Sequence, residues 1–102
     1  MIEQISRYTV TEEKTMEQAV KDEALHINHI VLPPGESFPE HIANAAVYMT
    51  VMRGLLSIDL DDQETHVFGR GDVLKIPRGT KMAGHNRHGG TLELLIVKNF
   101  TV

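Results

Sequence analysis

Short apolar runs separated by turn-forming residues make up the chain from residue 26 onward. The runs are INHIVL, VYMTVM, LLSIDL, THVF, VLKIP and TLELLIVKNF, and the breaks between them include PPG at 33–35 and RG at 53–54. Apolar side chains occupy every second position of LLSIDL and of much of TLELLIVKNF, which is the period of a strand with one buried face. About eight short strands at this spacing, with no helix-length period, predict an all-β sandwich or barrel.

One hairpin can be placed from local signals alone. The runs LLSIDL and THVF flank residues 61–64, DDQE, whose side chains favour turns. We therefore predict that the two runs pair as antiparallel strands around a polar tip.

The N-terminal segment permits two interpretations. Residues 11–24, TEEKTMEQAVKDEA, contain Glu13 and Glu17 followed at helical spacing by Gln18 and Lys21, which favours a short helix. The stretch KTMEQAV is also typical of an edge strand whose charges discourage aggregation. In both cases we expect a single domain over residues 1–102, with residues 1–24 as an N-terminal arm and residues 26–98 as the body.

Composition and charge exclude several classes of partner. A chain of 102 residues buries roughly 60 to 65 per cent of its unfolded surface, which is enough for one modest core. The net charge of −4 and the lack of a basic patch argue against a nucleic-acid partner. There is no signal-like N-terminus and no apolar run near the ~20 residues that span a bilayer, so we expect a cytoplasmic protein with no membrane partner.

Candidate chemistry is limited to carboxylates and histidines, because the chain has no cysteine. Disulfides, zinc–thiolate sites and thiol nucleophiles are therefore excluded. The six histidines are His26, His29, His41, His66, His85 and His88.

Two spaced patterns are similar to the two signature motifs of the cupin superfamily. The first motif is G-xxxxx-H-x-H-xxx-E-xxxxxx-G, and residues 35–54, GESFPEHIANAAVYMTVMRG, match its glycines and its first histidine. The second motif is G-xxxxx-P-x-G-xx-H-xxx-N, and residues 71–86 match it except at the histidine. The matched positions are Gly35, His41, Gly54, Gly71, Pro77, Gly79 and Asn86. This resemblance implies a single-domain, jelly-roll-like antiparallel β-barrel.

The mismatches in both motifs fall on metal ligands. In metal-binding cupins the motifs supply three histidines and one glutamate, but here Ala43, Val47 and Met82 stand where three of those ligands would be. Alanine and valine carry no donor, and a thioether is a poor partner for a hard divalent ion. With only His41 remaining, we expect no metal and no other cofactor.

The resemblance and the strand alternation together predict a pocket. If His41 points inward, Ala43, Val47, Met49 and Val51 share its face, while Tyr48 and Thr50 face away. Alignment of the other strands with cupins adds further inward positions, which are Asn28, Ile30, Phe38, Met82, Gly84, Leu94 and Ile96. The expected result is an apolar cavity with one imidazole and one amide, suited to a small organic ligand.

The remaining histidines leave one alternative open. His26 and His29 are three apart, so a strand sends them to opposite faces. His85 and His88 are expected on or beside a solvated turn, since GHNRHGG is rich in turn formers. A metal site rebuilt from His41 with His26, His85 or His88 is the alternative.

The favoured function is therefore a metal-free cupin that binds a small molecule through His41 and Asn28. The resemblance also implies an enzymatic alternative, either a metal-independent isomerase or epimerase that uses His41, or a metal-dependent dioxygenase-type enzyme with a rebuilt histidine site. An epimerase of this kind pairs its histidine with a carboxylate, and none occupies an inward position.

We also expect a homodimer. A barrel of this length closes its core poorly alone, and the outward face of VYMTVM offers Tyr48, Thr50 and Met52 to a partner sheet or to an exchanged N-terminal arm.

Overall fold

Residues 1–101 are described by a computed structural model, in which nine strands form and no helix is present. The all-β prediction is therefore confirmed. The strands are β1 (Thr15–Lys21), β2 (Leu25–Leu32), β3 (Ser37–Ile42), β4 (Ala46–Arg53), β5 (Leu55–Leu60), β6 (His66–Gly69), β7 (Val73–Ile76), β8 (Lys81–His85) and β9 (Leu92–Asn99).

The strands form two antiparallel sheets. The larger sheet has the order β1-β2-β9-β4-β7 and the smaller sheet has the order β3-β8-β5-β6. β9, the last strand of the chain, lies between β2 and β4, so the larger sheet brings together residues distant in sequence. This arrangement confirms the jelly-roll-like architecture, although the two sheets remain separate and do not close into one continuous barrel.

The core lies between the two sheets and follows strand alternation. On β4, Val47, Met49 and Val51 are buried, whereas Tyr48 is exposed and Thr50 is half-buried. The inward positions predicted on the other strands are also buried or line the space between the sheets; they include Ile30, Phe38, Ala43, Met82, Leu94 and Ile96. Each fully buried aliphatic side chain contributes about 1.5–3 kcal/mol to folding, so this face stabilises the sandwich.

The helix interpretation of residues 11–24 is wrong, and the edge-strand interpretation is confirmed for residues 15–21. β1 pairs with β2, from Thr15 opposite Val31 to Lys21 opposite His26, with an irregularity between Gln18 and Val20. Pairing with β2 gives this segment backbone hydrogen bonds and side-chain contacts on both faces of the sheet. These interactions are stronger than the weak helix preference that the charge spacing indicates.

The predicted hairpin is confirmed. β5 and β6 are antiparallel neighbours, with Leu56 opposite Phe68 and Ile58 opposite His66. Asp61 has φ of 47° in the intervening turn, a conformation that aspartate tolerates better than most residues.

The connection from β4 to β5 requires glycine. Gly54 has φ of 81°, and a methyl group on its Cα would overlap the backbone of Thr91 and Leu92. The tight approach of this turn to the start of β9 therefore explains the motif glycine at residue 54.

Residues 1–14 contain no strand and lie outside the two sheets. Most of their side chains are exposed, including those of Ile2 and Val10. We call this segment the arm below. In the part of the chain that the structure describes, no helix is long and apolar enough to cross a membrane.

Candidate functional site

A cavity of about 380 Å³ opens between the two sheets. The larger sheet contributes Met16, Glu17, Gln18, Asn28, Ile30, Val47, Met49, Ile96 and Lys98, and the smaller sheet contributes Phe38, Pro39, His41 and Met82. Met16 and His41 are exposed, so the cavity reaches the surface on their side.

Most of the predicted inward residues line this cavity, and the exceptions are Ala43, Val51, Gly84 and Leu94. The side chains of Ala43, Val51 and Leu94 are buried in the core. These residues lie between the sheets as strand alternation predicts, but the shape of the cavity depends on how far each strand extends beside the opening.

His41 lies at the edge of the cavity, and its orientation defines its tautomer. Its Nδ1 is 2.9 Å from the carbonyl oxygen of Pro39, which can only accept a hydrogen bond. Nδ1 therefore carries the proton, and in the neutral ring Nε2 is an acceptor. The ring of Phe38 lies 6.0 Å away in an edge-on arrangement. His41 can thus accept a hydrogen bond from an occupant of the cavity.

The inner wall of the cavity is apolar and depends on a close contact between β3 and β8. Phe38 lies directly opposite Gly84 in the register of these strands. A methyl group at Gly84 would overlap the Phe38 ring, so the absence of a side chain there allows the ring to pack against the backbone of β8. Ile30, Met49 and Ile96 face it from the larger sheet.

Three polar residues of the cavity lining, Glu17, Gln18 and Lys98, were missed by the sequence analysis. Lys98 extends the inward row of Leu94 and Ile96 by one further step of strand alternation. Gln18 shares a face with Met16 once residues 15–21 form a strand. Strand alternation places Gln18 and Lys98 on the cavity side. Lys98 was missed because only the apolar residues of β9 were assigned to the pocket.

The donors at the cupin ligand positions do not fit a divalent metal ion. Ala43 and Val47 present buried hydrocarbon, Met82 is 2% exposed among apolar neighbours, and His41 supplies a single imidazole. Across residues 1–101, no three histidine or carboxylate side chains converge in a way that could hold a metal.

The rebuilt histidine site is also unsupported by the geometry. His85 points to the face of β8 opposite Met82, where its ring bonds Ser37 at 2.8 Å and Asp59 at 3.3 Å. His88 lies in the following turn, which Asn86 holds by accepting a hydrogen bond from the His88 amide. The ring nitrogen Nε2 of His88 is buried without a protein partner.

His26 and His29 lie on opposite faces of β2, as predicted. His26 is on the cavity side, 3.2 Å from the amide nitrogen of Gln18, and its ring packs against Phe100. His29 is fully buried on the outer face of the sheet, where it lies between two carboxylates at 2.9 Å from Glu17 and 2.6 Å from Glu93. Both bonds are satisfied together when both ring nitrogens carry protons.

The arm covers His29, and polar contacts hold it in place. The Tyr8 ring stacks on His29 at 4.1 Å, and the Thr9 amide donates to Glu17 at 3.0 Å. Arg53 donates to Glu12, to the Thr11 carbonyl and, at 2.9 Å, to Glu93.

These contacts lower the pKa values of two carboxyl groups. The hydrogen bond from Arg53 lowers the pKa of Glu12. Hydrogen bonds from His29 and then from the Thr9 amide lower the pKa of Glu17. The residues that hold the arm in this way are called the clasp below; they are Tyr8, Thr9, Glu12, Glu17, His29, Arg53 and Glu93. The sequence analysis did not predict the clasp, because its members are far apart in the chain.

Comparison with known proteins decides the family. The family model of the cupin domain matches residues 28–98, which contain the cavity apart from β1. The chain belongs to the cupin family. It is 38% identical over 85 residues to an uncharacterized protein of Methanocaldococcus jannaschii, covering 83% of this chain and 73% of the relative.

Solved cupin structures agree with the fold. An RmlC-like cupin with a double-stranded β-helix fold from M. jannaschii superposes with a TM-score of 0.93 at 35% identity, covering 97% of this chain and 92% of the other. A cupin superfamily protein from Desulfitobacterium hafniense gives a TM-score of 0.78 at 18% identity, covering 92% and 84%. The second likeness concerns the fold alone.

Proposed function

We propose that this cupin binds a small, mostly apolar organic molecule, without a metal ion, in the cavity between its sheets. The observation that carries the proposal is the replacement of the family's ligand set by hydrocarbon around an open cavity of about 380 Å³. Ligand pockets in proteins have volumes of roughly 300–1,000 Å³, with apolar walls and few polar groups. The cavity fits that description.

Two polar groups orient the occupant. His41 offers Nε2 from the smaller sheet, and Asn28 offers its side-chain amide from the larger sheet. An occupant with one donor and one acceptor can bond both sheets while its apolar part lies against Phe38 and Met49. Such sparse polar contacts give orientation, whereas burial of apolar surface gives most of the affinity.

Proton transfer by His41 is the alternative function. Its Nε2 has no hydrogen-bond partner among residues 1–101 and could act as a base. The ring is oriented by the Pro39 carbonyl, however, and no carboxylate bonds it in residues 1–101. A carbonyl partner orients the imidazole but does not stabilise its charged form as a carboxylate would, so binding is better supported than catalysis.

The test is a thermal-shift screen of small organic compounds on wild type and two matched variants. Val47→Phe fills the cavity, and Val67→Phe adds the same volume at an exposed position of the smaller sheet. Compounds that stabilise wild type and Val67→Phe but not Val47→Phe support the proposal. If Val47→Phe does not fold, Met16→Trp at the exposed entrance replaces it.

Two outcomes count against the proposal. A screen in which no compound shifts the melting temperature removes the binding function. Compounds that also stabilise the blocked variants bind elsewhere. Mass spectrometry of each bound compound after incubation then separates binding from turnover, since chemical conversion that is lost in His41→Ala would favour the enzymatic alternative.

A further inference from the structure

Lys98 places a positive charge at one end of the cavity. It follows Leu92, Leu94 and Ile96 on the inward face of β9, and it lies opposite His26 on β2 and Val47 on β4. Its ammonium group forms no ion pair with any group in residues 1–101. The row of apolar side chains on β9 therefore ends in an unneutralised positive charge in the cavity lining.

The one carboxylate residue of the cavity does not neutralise Lys98. Glu17 lines the cavity, but its carboxylate belongs to the clasp on the other side of β1. One oxygen accepts from the Thr9 hydroxyl at 2.9 Å, and the other accepts from the Thr9 amide and from His29. Both oxygens of Glu17 are therefore engaged by the clasp. Lys98 carries a charge in the cavity lining that no carboxylate compensates, although the whole chain has a net charge of −4.

Amide donors lie beside Lys98. The Gln18 side-chain nitrogen donates to His26 at 3.2 Å and to the Asn28 oxygen at 3.5 Å. The amide nitrogen of Asn28 has no protein acceptor in residues 1–101. The polar end of the cavity thus presents an ammonium and an amide donor, whereas a cation would meet no free carboxylate.

We propose that the occupant of the cavity is an organic anion, an apolar body with one carboxylate, whose charged group pairs with Lys98 and Asn28. This inference rests on the proposed binding function and adds the charge class of the ligand. The carboxylate lies at the Lys98 end, and the apolar body lies against Phe38, Ile30 and Met49. A charge-assisted hydrogen bond in a partly enclosed site is stronger than one in water, which gives selection by charge.

The experiment compares probes of one shape and three charges. Benzoate, benzamide and benzamidine, together with their naphthyl counterparts, are titrated into the full chain by calorimetry at millimolar concentration. The anion is expected to bind at least about tenfold more tightly than the neutral amide, and the amidinium is expected to bind weakest.

Lys98→Met removes the charge and keeps an unbranched apolar stem. It is expected to weaken carboxylate binding about tenfold while leaving amide binding unchanged. Lys75→Met is the matched control, because Lys75 lies on the outer face of the same sheet, beside the Tyr48 ring. It changes the net charge equally and should leave all affinities unaltered.

The possible results separate the inference from the binding function. Binding of amide or amidinium as tight as that of the carboxylate, or no effect of Lys98→Met, overturns the anion inference and leaves the binding function standing. An equal loss in Lys75→Met shows a general charge effect and also overturns it. Failure of every probe to bind, whatever its charge, removes the binding function and the inference with it.

Discussion

Met82 lies directly opposite His41 in the register of β8 and β3. Met82, which stands at the metal-ligand position of the second motif, is therefore the cross-strand neighbour of His41, the one ligand histidine that this chain retains. Side chains opposite each other in an antiparallel pair have Cβ atoms about 4.5–5.5 Å apart, which is close enough for two imidazoles to share one ion.

A metal site should be restored by changing side chains alone. We predict that Ala43→His, Val47→Glu and Met82→His together create a four-ligand site with His41. Burying three polar groups should make the metal-free triple variant less stable than wild type, and Mn²⁺, Ni²⁺ or Zn²⁺ should restore stability. At about 100 times the dissociation constant the recovery is about 2.7 kcal/mol, measured as a rise in melting temperature.

Controls for this variant use the remaining histidines. His41→Ala in the triple variant should abolish the metal-dependent rise, whereas His85→Ala should leave it intact, because His85 faces Ser37 and Asp59. Tight binding of one divalent ion by untagged wild type, lost on changing His85 or His88, would contradict the metal-free interpretation.

The arm should detach from the sheet in acid. The folded-state pKa values of Glu12 and Glu17 are lowered, so their contribution to docking is present above their unfolded-state values and is lost as pH falls through the folded-state values. We expect the NMR shift of the Thr9 amide proton to titrate below the usual glutamate range. Glu17→Gln removes the ionisable acceptor and should abolish this titration; a Thr9 shift that stays constant down to the onset of unfolding would show that the clasp does not hold the arm.

Gly84 should be intolerant of even one added methyl group. Gly84→Ala forces the Phe38 ring away from β8, and overpacking of this kind typically costs about 1–3 kcal/mol. The urea midpoint should fall, and compounds bound in the cavity should lose affinity because Phe38 forms part of its wall. Gly89→Ala is the control, since that methyl group would meet no atom within 4 Å. Equal midpoints for the two variants would contradict the packing argument.

We propose a homodimer formed through the outer face of the larger sheet. Tyr48 and Val73 are exposed there at 36% and 63%, and Leu95 lies half-buried between β2 and β4. Light scattering is expected to give twice the 11.4 kDa chain mass at micromolar concentration. Tyr48→Glu should lower the mass to that of one chain, whereas Val67→Glu, on the smaller sheet, should not. A wild-type mass of one chain would exclude this assembly.

Much of the cavity could be predicted because strand alternation and the motif spacings specify which side chains point between the sheets. Val47 and Met49 follow from alternation starting at His41, and Ile96 follows from the alignment of its strand with cupins. Ala43 and Leu94 obey the same rule yet lie in solid core, since the position of the opening depends on strand ends and not on alternation. Lys98 also lies on the inward face that alternation predicts, but it was not assigned to the pocket because it is polar and the other inward residues of its strand are apolar.

The sequence by itself determined the strand pattern, the turns that need glycine or proline, and the absence of imidazole and carboxylate donors at three ligand positions, because these depend on local backbone geometry and side-chain identity. Only the tertiary structure decided what surrounds His29. Glu17, Arg53 and Glu93 come from three strands separated by up to 76 residues in the numbering, and Tyr8 comes from the arm. Alternation assigns each residue to one of two faces, but the partners on a face are chosen by strand order, which depends on long-range packing that no local pattern contains.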